Sequence, residues 1–301
     1  MNAQMDMPDL GRIIPNVPAA EYHKRELGVI SAGVLRMLNE QTPAHYRAWV
    51  ADTDENDTPD KMFGRAYHDR VLLPKLFAET YVAPPKDPPR DLRHLRNAKK
   101  PSDDTIASIA WWDGWQAENA GRVVLSAKDF DLIEAMHYAL MRDSEIAEIF
   151  SEGDSEITLR CTDDETGLEC KARADRWNRR KRWMGDLKTT VDASERGFAR
   201  SVVRYGYDIT HAHYSECARL CGEPLDKYVI VAQEKRKPYL AALYQLDEAA
   251  ETRGYEIRQK GMETMAACLA SGDWPGYPRG IQPLALPGWA IANEMEISYV
   301  E

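Results

Sequence analysis

The sequence lacks any uninterrupted apolar run of the roughly 18 residues that a membrane-spanning helix needs. Its longest apolar stretches, "IASIAWW" at 106–112 and "YVIVA" at 228–232, are much shorter. The start of the chain has no basic segment followed by an apolar core, which argues against a secretory signal. The five cysteines are an odd number and indicate reduced thiols rather than a disulfide framework. We therefore expect a cytoplasmic protein without a membrane partner.

Several common catalytic motifs are also missing. There is no glycine-rich phosphate loop, no HExxH and no GxSxG, which argues against a nucleotide-driven motor, a zinc protease and a serine hydrolase. The net charge of −10 argues against indiscriminate binding to nucleic acid, because the field of the whole molecule would repel phosphate. Positive charge is concentrated in two islands, at 90–100 and 171–188, which are either solvated loops or phosphate-binding sites.

The periodicity of the sequence predicts a mixed α/β domain, and the composition, with 44% apolar and 29% charged residues, is that of a folded chain. Apolar spacing predicts helices at about 30–50, interrupted near Pro43, from about 60 until Pro74, and at about 126–150, 193–221 and 247–271. Three short alternating segments at 155–161, 168–177 and 182–190 are separated by turn sequences. They predict an antiparallel meander, which two further strands, "KYVIVAQEK" and "YLAALYQL", follow in the chain.

The meander places two acids and a lysine together. If its second turn is centred between Arg180 and Lys181, Asp175 lies opposite Asp186, and Lys188 points to the same face. Cross-strand neighbours have Cβ atoms about 4.5–5.5 Å apart, so the two carboxylates would repel each other. A divalent cation would reverse that repulsion, and Mg²⁺ is commonly held by one or two carboxylates together with substrate phosphate.

Two interpretations of this hairpin remain open from the residues alone. Asp175 and Asp186 could face water on a surface hairpin, in register by chance. The turn "NRRKR" favours the other interpretation, because arginines and lysines beside a carboxylate pair are suited to holding a phosphodiester. The basic residues that could bind the DNA backbone lie in the two islands: Arg173, Arg176, Arg179, Arg180, Lys181, Arg93 and Arg96.

Asp175, ten intervening residues, and "Asp186-Leu187-Lys188" resemble the PD-(D/E)XK nuclease signature, with aspartate in the D/E position. Further segments, including "GRAYHDRVLLP", "LECKARADRW" and "PYLAALYQL", together resemble the exonuclease VIII (RecE-type) nuclease domain of phage and prophage recombination systems. The resemblance covers about residues 28–270. It implies a restriction-endonuclease-like core, in which helices flank a central mixed sheet. The implied activity is metal-dependent digestion of double-stranded DNA from 5′ ends, which leaves 3′ single strands.

The resemblance also implies roles for individual residues. Asp175 and Asp186 match the metal ligands, Lys188 matches the catalytic lysine, and His68 matches a helical histidine that contacts metal or phosphate. Glu156 lies where the family often has a further acid. The metal would be Mg²⁺ or Mn²⁺. Tyr214 matches a tyrosine of the helix after the active hairpin, whereas Thr210 stands where related nucleases usually have glutamine.

The resemblance sets the expected organisation and partners. We expect a flexible leader over 1–27, a nuclease domain over 28–271 with a helical portion (28–150) and a catalytic core (151–271), and a tail over 272–301. Expected partners are double-stranded DNA ends, a single-strand annealing protein and further copies of the chain in a ring. The alternatives are a non-catalytic DNA-binding module on the same fold and a structure-selective endonuclease.

Overall fold

The computed structural model describes residues 11–52 and 58–286. In chain order, the strands are β1 (Gly11–Ile14), β2 (Tyr81–Val82), β3 (Val123–Val124), β4 (Asp154–Thr162), β5 (Glu169–Asn178), β6 (Trp183–Thr190), β7 (Lys227–Glu234) and β8 (Ala241–Tyr244). The helices are α1 (Ala19–Tyr22), α2 (Ala32–Glu40), α3 (Pro43–Ala51), α4 (Pro59–Leu72), α5 (Pro74–Thr80), α6 (Asp103–Glu118), α7 (Ala127–Leu140), α8 (Ser144–Ser151), α9 (Glu195–Tyr205), α10 (Tyr207–Leu220) and α11 (Glu248–Ser271). A short 3-10 turn spans Arg93–Leu95.

A six-stranded mixed sheet lies at the centre of the molecule, in the order β1-β4-β5-β6-β7-β8. β6 and β7 pair in parallel, and the other neighbours pair antiparallel. The predicted meander is therefore β4-β5-β6, and α9 and α10 connect β6 to its parallel neighbour. β2 and β3 form a separate two-stranded parallel sheet. The α/β architecture with helices around a mixed sheet is confirmed.

The two faces of the sheet bury two separate cores. Successive side chains of a strand point to opposite faces, so Tyr228 and Ile230 of β7 pack with one core, while Val229 and Val231 pack with the other. The first core includes residues of α2, α3, α9, α10 and α11. The second includes residues of α4, α5, α7 and α8. The helices of the two cores therefore lie on opposite faces of the central sheet.

Two predicted helices are each split in the structure. The segment at 126–150 divides into α7 and α8, because the Asp143 side chain accepts hydrogen bonds from the backbone of Glu145 and Ile146 and starts a new helix. The segment at 193–221 divides at Gly206, whose φ of +66° ends α9 in a left-handed conformation. Within residues 11–52 and 58–286, no helix is long and apolar enough to cross a membrane.

The prediction of a flexible leader over 1–27 does not hold for residues 11–14, which form a strand. Gly11–Ile14 pairs with β4 and extends the sheet, so these residues belong to the folded domain. Gly11 is required there, because a Cβ would lie 2.6 Å from the Cys221 sulfur. Residues 1–10 lie outside the described residues, and so does the predicted tail beyond residue 286. The described part of that tail after α11 contains no helix or strand. The other predicted domain boundaries stay predictions.

Candidate metal and active site

Three neighbouring strands and one helix bring five polar side chains together. β4 carries Glu156, β5 carries Asp175, β6 carries Asp186 and Lys188, and α4 carries His68. The strands come together because the meander is continuous in sequence and in the sheet. The helix comes from the N-terminal part of the chain. Its approach to the strands is therefore a tertiary contact, which the strand pattern alone does not predict.

α4 presents His68 to the sheet because its neighbouring residues are anchored. The helix begins where the Thr58 hydroxyl accepts a hydrogen bond from the Lys61 backbone, with Pro59 in the first turn. Tyr67 is fully buried in the second core, and its hydroxyl bonds to Gln233. The adjacent His68 imidazole lies with its Nδ1 3.7 Å from an Asp175 carboxylate oxygen.

The predicted register of the hairpin is confirmed up to the acids. Arg176 pairs with Gly185 and Trp177 with Met184, as a turn centred between residues 180 and 181 requires. The ladder ends at Arg176, and the Asp175 carboxylate instead accepts a hydrogen bond of 2.8 Å from the Leu187 backbone. Asp175 and Asp186 therefore do not form the predicted ladder pair. The Asp175 carboxylate instead accepts the hydrogen bond of a backbone N–H of β6.

The closest group of possible metal ligands is His68, Glu156 and Asp175, whose ligand atoms all lie within 4.8 Å of one another. Glu156 reaches this group from a left-handed backbone conformation, φ +54°, which is rare for a residue with a side chain and often marks a functional position. Burial, followed by the charge of Asp175, raises the pKa of Glu156 to about 8. Burial lowers the pKa of His68, which favours the neutral imidazole that a metal requires.

Asp186 and Lys188 form an ion pair next to this group. The Lys188 ammonium donates to one Asp186 oxygen at 2.6 Å, and Asp186 is 3% exposed. The other Asp186 oxygen and the Tyr228 hydroxyl are buried without a hydrogen-bond partner among the described residues. Burial raises the pKa of Asp186 to about 7, although Lys188 opposes the shift. Burial alone would lower the pKa of Lys188, but Asp186 and Asp175 raise it.

This donor set fits a hard divalent cation. Two carboxylates and one imidazole converge within ligand distance, and a third carboxylate close by has an oxygen without a donor. Carboxylate oxygens are the ligands that Mg²⁺ and Mn²⁺ prefer. Burial, helped by the charge of Asp175, raises the pKa values of Glu156 and Asp186, so a bound cation would relieve a cost that the fold itself creates. The group contains three of the four predicted ligands, His68, Glu156 and Asp175, whereas the fourth, Asp186, lies outside it, and the role of these residues as ligands stays a prediction.

Two residues near the site were not found from the sequence. The Tyr207 ring lies against Lys188, with the ammonium 5.4 Å from the ring centroid. Asp69, the neighbour of His68, accepts a hydrogen bond from the Tyr81 hydroxyl at 2.8 Å. Tyr207 follows the Gly206 helix break, and only this break could have suggested that an aromatic side chain is redirected there. An acid next to a histidine was the available signal for Asp69.

Arg173 and Arg176, which were predicted as DNA contacts, have other roles in the structure. Arg173 is 8% exposed, with its guanidinium 3.3 Å from Glu156 and bonded to the Val17 carbonyl. Arg176 donates to the carbonyls of Phe150 and Gly153. Because these guanidinium groups already bind within the domain, contacts of Arg173 and Arg176 with DNA would have to break these bonds, and their role as phosphate contacts stays a prediction. Arg173 is also suited to orienting the Glu156 carboxylate.

Of the three basic residues in the hairpin turn that were predicted to bind DNA, two lie close to acidic side chains. The Lys181 ammonium lies 2.6 Å from Glu148 and 2.7 Å from Glu152, and the Arg179 guanidinium lies 3.9 Å from Glu223. Arg180 is exposed. The role of this turn in DNA binding stays a prediction, but binding there would have to break ion pairs.

In the other basic island, Arg93 pairs with Asp91 at 2.8 Å and Arg96 with Asp113 at 2.6 Å, so their binding to DNA also stays a prediction. The Arg93 guanidinium stacks 5.1 Å from the centroid of the Trp112 ring. These contacts hold the island against α6 rather than against the carboxylates of the site.

On α10, the two positions taken from the resemblance, Thr210 and Tyr214, are half-buried. Burial raises the pKa of Tyr214, and its hydroxyl is next to that of Tyr22; the role of Tyr214 as a DNA contact stays a prediction. The Thr210 hydroxyl, in place of the usual glutamine, bonds to the Gly206 carbonyl of its own helix at 3.1 Å. The missing amide is therefore replaced by a local helix contact.

Comparison with known proteins agrees with this architecture. Residues 31–284 match the family described as PDDEXK-like domain of unknown function (DUF3799). The chain belongs to this PDDEXK-like family. Among solved structures, the domain is similar to that of a putative exonuclease from Eubacterium rectale, with a TM-score of 0.58, 13% identity, and coverage of 94% of this chain and 98% of that chain. No curated protein matches the sequence.

The family assignment confirms the nuclease fold class of the PDDEXK-like domain. At 13% identity, the solved structure supports the fold alone. PDDEXK nucleases generally use divalent metals, and the group formed by His68, Glu156 and Asp175 is where this chain could hold one.

Proposed function

We propose that the chain is a metal-dependent deoxyribonuclease that digests linear double-stranded DNA, with the 5′ to 3′ polarity of RecE-type enzymes. The observation that carries this proposal is the convergence of His68, Glu156 and Asp175 within 4.8 Å beside the Asp186–Lys188 ion pair. A structural role would not require buried acids whose pKa values are raised, as those of Glu156 and Asp186 are by burial and by the charge of Asp175. A site for a cation and a phosphodiester accounts for them.

In this proposal, Glu156, Asp175 and His68 hold Mg²⁺ or Mn²⁺, and Asp186 stands ready as a further ligand through its free oxygen. Such a cation polarises the phosphodiester and activates a water for in-line attack. Lys188 is held by Asp186 and Tyr207, so its ammonium stabilises the negative charge that develops on the phosphate oxygens. Arg173 keeps the Glu156 carboxylate aimed at the ligand group.

The experiment compares linear duplex with covalently closed circular DNA in the presence of Mg²⁺ or Mn²⁺. An exonuclease degrades the linear form and leaves the circle intact. Cleavage of both forms would favour the structure-selective endonuclease. Binding without cleavage of either form, at every metal concentration, would favour the non-catalytic module. DNA labelled at the 5′ or 3′ end then determines the polarity of digestion.

We extend the proposal to partners on the basis of the RecE-type resemblance. The 3′ single strands would be handed to an annealing protein in the cytoplasm, and a ring of several copies would enclose the duplex and keep digestion processive. Light scattering tests the ring. A monomer mass together with processive digestion would rule it out.

A further inference from the structure

Helix α9 has a buried apolar face and an exposed basic face. Phe198 and Val202 face the first core. Arg196, Arg200 and Arg204 follow one another at intervals of four residues and are all exposed. With a rise of about 1.5 Å per residue, they form a row about 12 Å long on one side of the helix.

The turn between β7 and β8 extends this row. Lys235, Arg236 and Lys237 are exposed there, and the Lys235 backbone bonds to the Thr190 carbonyl at the end of β6. Arg236 and Arg200 both help to lower the pKa of Asp192, although the hydrogen bonds from Ser194 have the largest effect. The turn and the helix therefore flank the same residue. We call these six side chains the basic ridge: Arg196, Arg200, Arg204, Lys235, Arg236 and Lys237.

Both ends of α9 are linked to the candidate active site, one along the chain and the other through aromatic rings. At one end, only residues 191–194 separate α9 from β6, on which Lys188 lies two residues before the end of the strand. At the other end, the Tyr205 and Tyr207 rings are 5.7 Å apart, and the Lys188 ammonium lies 5.4 Å from the Tyr207 centroid. The hairpin turn at 179–182 lies at the opposite end of β6, about 23 Å away for eight residues of strand.

The three arginines of α9 differ from the basic residues of the predicted islands in their partners. Among the described residues, no carboxylate lies within ion-pair distance of Arg196, Arg200 or Arg204, whereas Lys181, Arg93 and Arg96 are all paired. In the turn, the Arg236 guanidinium lies 3.3 Å from Glu234. A row of three arginines without such a partner stands out on a chain with a net charge of −10. Its field would draw a polyanion toward this edge of the molecule.

We propose that the basic ridge binds the sugar-phosphate backbone of the DNA whose end enters the active site. The row of about 12 Å spans three to four steps of a strand that rises about 3.4 Å per nucleotide, so three arginines can each neutralise one phosphate. This inference rests on the proposed nuclease function for the identity of the polyanion. It adds the path that the DNA takes, along α9 and past Tyr207 to Lys188.

The first test measures binding of the full chain to a blunt-ended 30-base-pair duplex in chelator, at salt concentrations from 50 to 200 mM. The ridge variant is R196Q/R200Q/R204Q. The matched control, K24Q/K260Q/R279Q, removes the same charge from exposed positions elsewhere. Three lost phosphate contacts reduce the salt slope by about 2.7, so over this range the affinity of the parent falls about 40-fold more than that of the ridge variant. The control keeps the slope of the parent. Equal slopes in the parent and the ridge variant would overturn the proposal.

A second test separates this inference from the proposed function. A small diester, bis(p-nitrophenyl) phosphate with Mn²⁺, is too short to reach the ridge, so the ridge variant hydrolyses it at the parental rate while its KM for duplex DNA rises. Absence of hydrolysis of any substrate by the parent, together with a reduced salt slope in the ridge variant, would refute the nuclease function but support the ridge. Loss of binding to phosphatidylserine vesicles, with the DNA slope unchanged, would overturn the ridge as a DNA surface. An unchanged melting temperature of the variant serves as the folding control.

Discussion

Asp163 and Asp186 are equally buried, each 3% exposed, yet they have opposite environments. Asp163 accepts hydrogen bonds from the Thr166 backbone and hydroxyl and from the Arg258 guanidinium at 2.6 Å. Although burial alone would raise the pKa of Asp163, these hydrogen bonds lower it. Within residues 11–52 and 58–286, Asp186 has only Lys188 as a donor and one of its oxygens has no partner, and burial raises its pKa to about 7.

The comparison distinguishes a buried acid whose hydrogen bonds stabilise the fold from a buried acid that has an oxygen available for a ligand. A buried carboxylate whose oxygens are all hydrogen-bonded has no capacity left for a ligand. A carboxylate with a free buried oxygen costs free energy until a cation or a proton arrives. The same substitution, Asp to Asn, therefore has different expected effects at the two positions, and the pair provides a matched comparison.

The largest expected effect is on catalysis. Asp186→Asn and Lys188→Met should each lower the rate of duplex hydrolysis about 10²–10³-fold, the cost of removing a group that stabilises charge in a transition state. Asp163→Asn should leave the rate per folded molecule unchanged. The rates are measured on linear duplex with Mg²⁺, below the melting temperature of each variant. A near-parental rate for Asp186→Asn would remove it from the site.

For the free energy of unfolding, we expect the larger effect at Asp163 rather than at Asp186. Asp163→Asn leaves the Arg258 guanidinium, 5% exposed, without its charge partner and should cost about 3–5 kcal/mol in the free energy of unfolding. Denaturant unfolding measures this cost. Replacing both residues with apolar ones, as Asp163→Leu/Arg258→Met, should cost less than the sum of the single changes, because no buried charge remains. Additive losses would mean that the two side chains do not act as a pair.

Stabilisation of the folded chain by a metal ion should depend on the proposed ligands and not on Asp163. At a hundredfold excess over Kd, a cation that binds the folded state alone adds about 2.7 kcal/mol. The parent and Asp163→Asn should gain this stability from Mn²⁺, whereas Glu156→Gln and Asp175→Asn should not. Thermal melts with Mn²⁺ and with chelator provide the measurement. A full gain in Glu156→Gln would locate the metal elsewhere.

The smallest effect is the pH dependence in chelator. The pKa of Asp186 is raised from its ordinary 3.8 to about 7, so its contribution to stability is present below about pH 4 and lost as the pH rises through 7. Asp186→Asn should therefore flatten the decline in stability over this range by less than about 1.4 kcal/mol per pH unit. Asp163 has a lowered pKa, so its contribution is lost only as the pH falls below its ordinary range. An unchanged slope in Asp186→Asn would contradict the assignment of this shift.

Local patterns allowed much of the meander to be predicted from the sequence. Alternation and turn residues located β4, β5 and β6, and the symmetry of the turn gave the pairing of Trp177 with Met184. The same symmetry predicted that Asp175, Asp186 and Lys188 share one face of the hairpin, which distinguished them from the many other charges of these strands. These features depend on residues close together in the chain, which is why periodicity and turn chemistry are sufficient to find them.

The remaining parts of the site depend on contacts between distant segments. The burial of Arg173 requires the Val17 carbonyl, which is supplied by the predicted leader. The left-handed backbone of Glu156 has no signal in its sequence. The basic face of α9 was visible as a spacing of four, but its significance depends on the fold bringing Tyr207 to Lys188. Such features arise from tertiary packing, so propensity and spacing do not predict them.

The edge strand β1 has a further consequence, for solubility. It covers the nine-residue strand β4, whose backbone N–H and C=O groups would otherwise line an open edge of the sheet. Long uncovered edges pair with the edges of other molecules, and short ones do so less readily. Removal of residues 1–15 should therefore leave an active site that is still assembled but a chain that self-associates through β4. Sedimentation of the shortened and full chains at equal concentration tests this, and equal monomer fractions would contradict it.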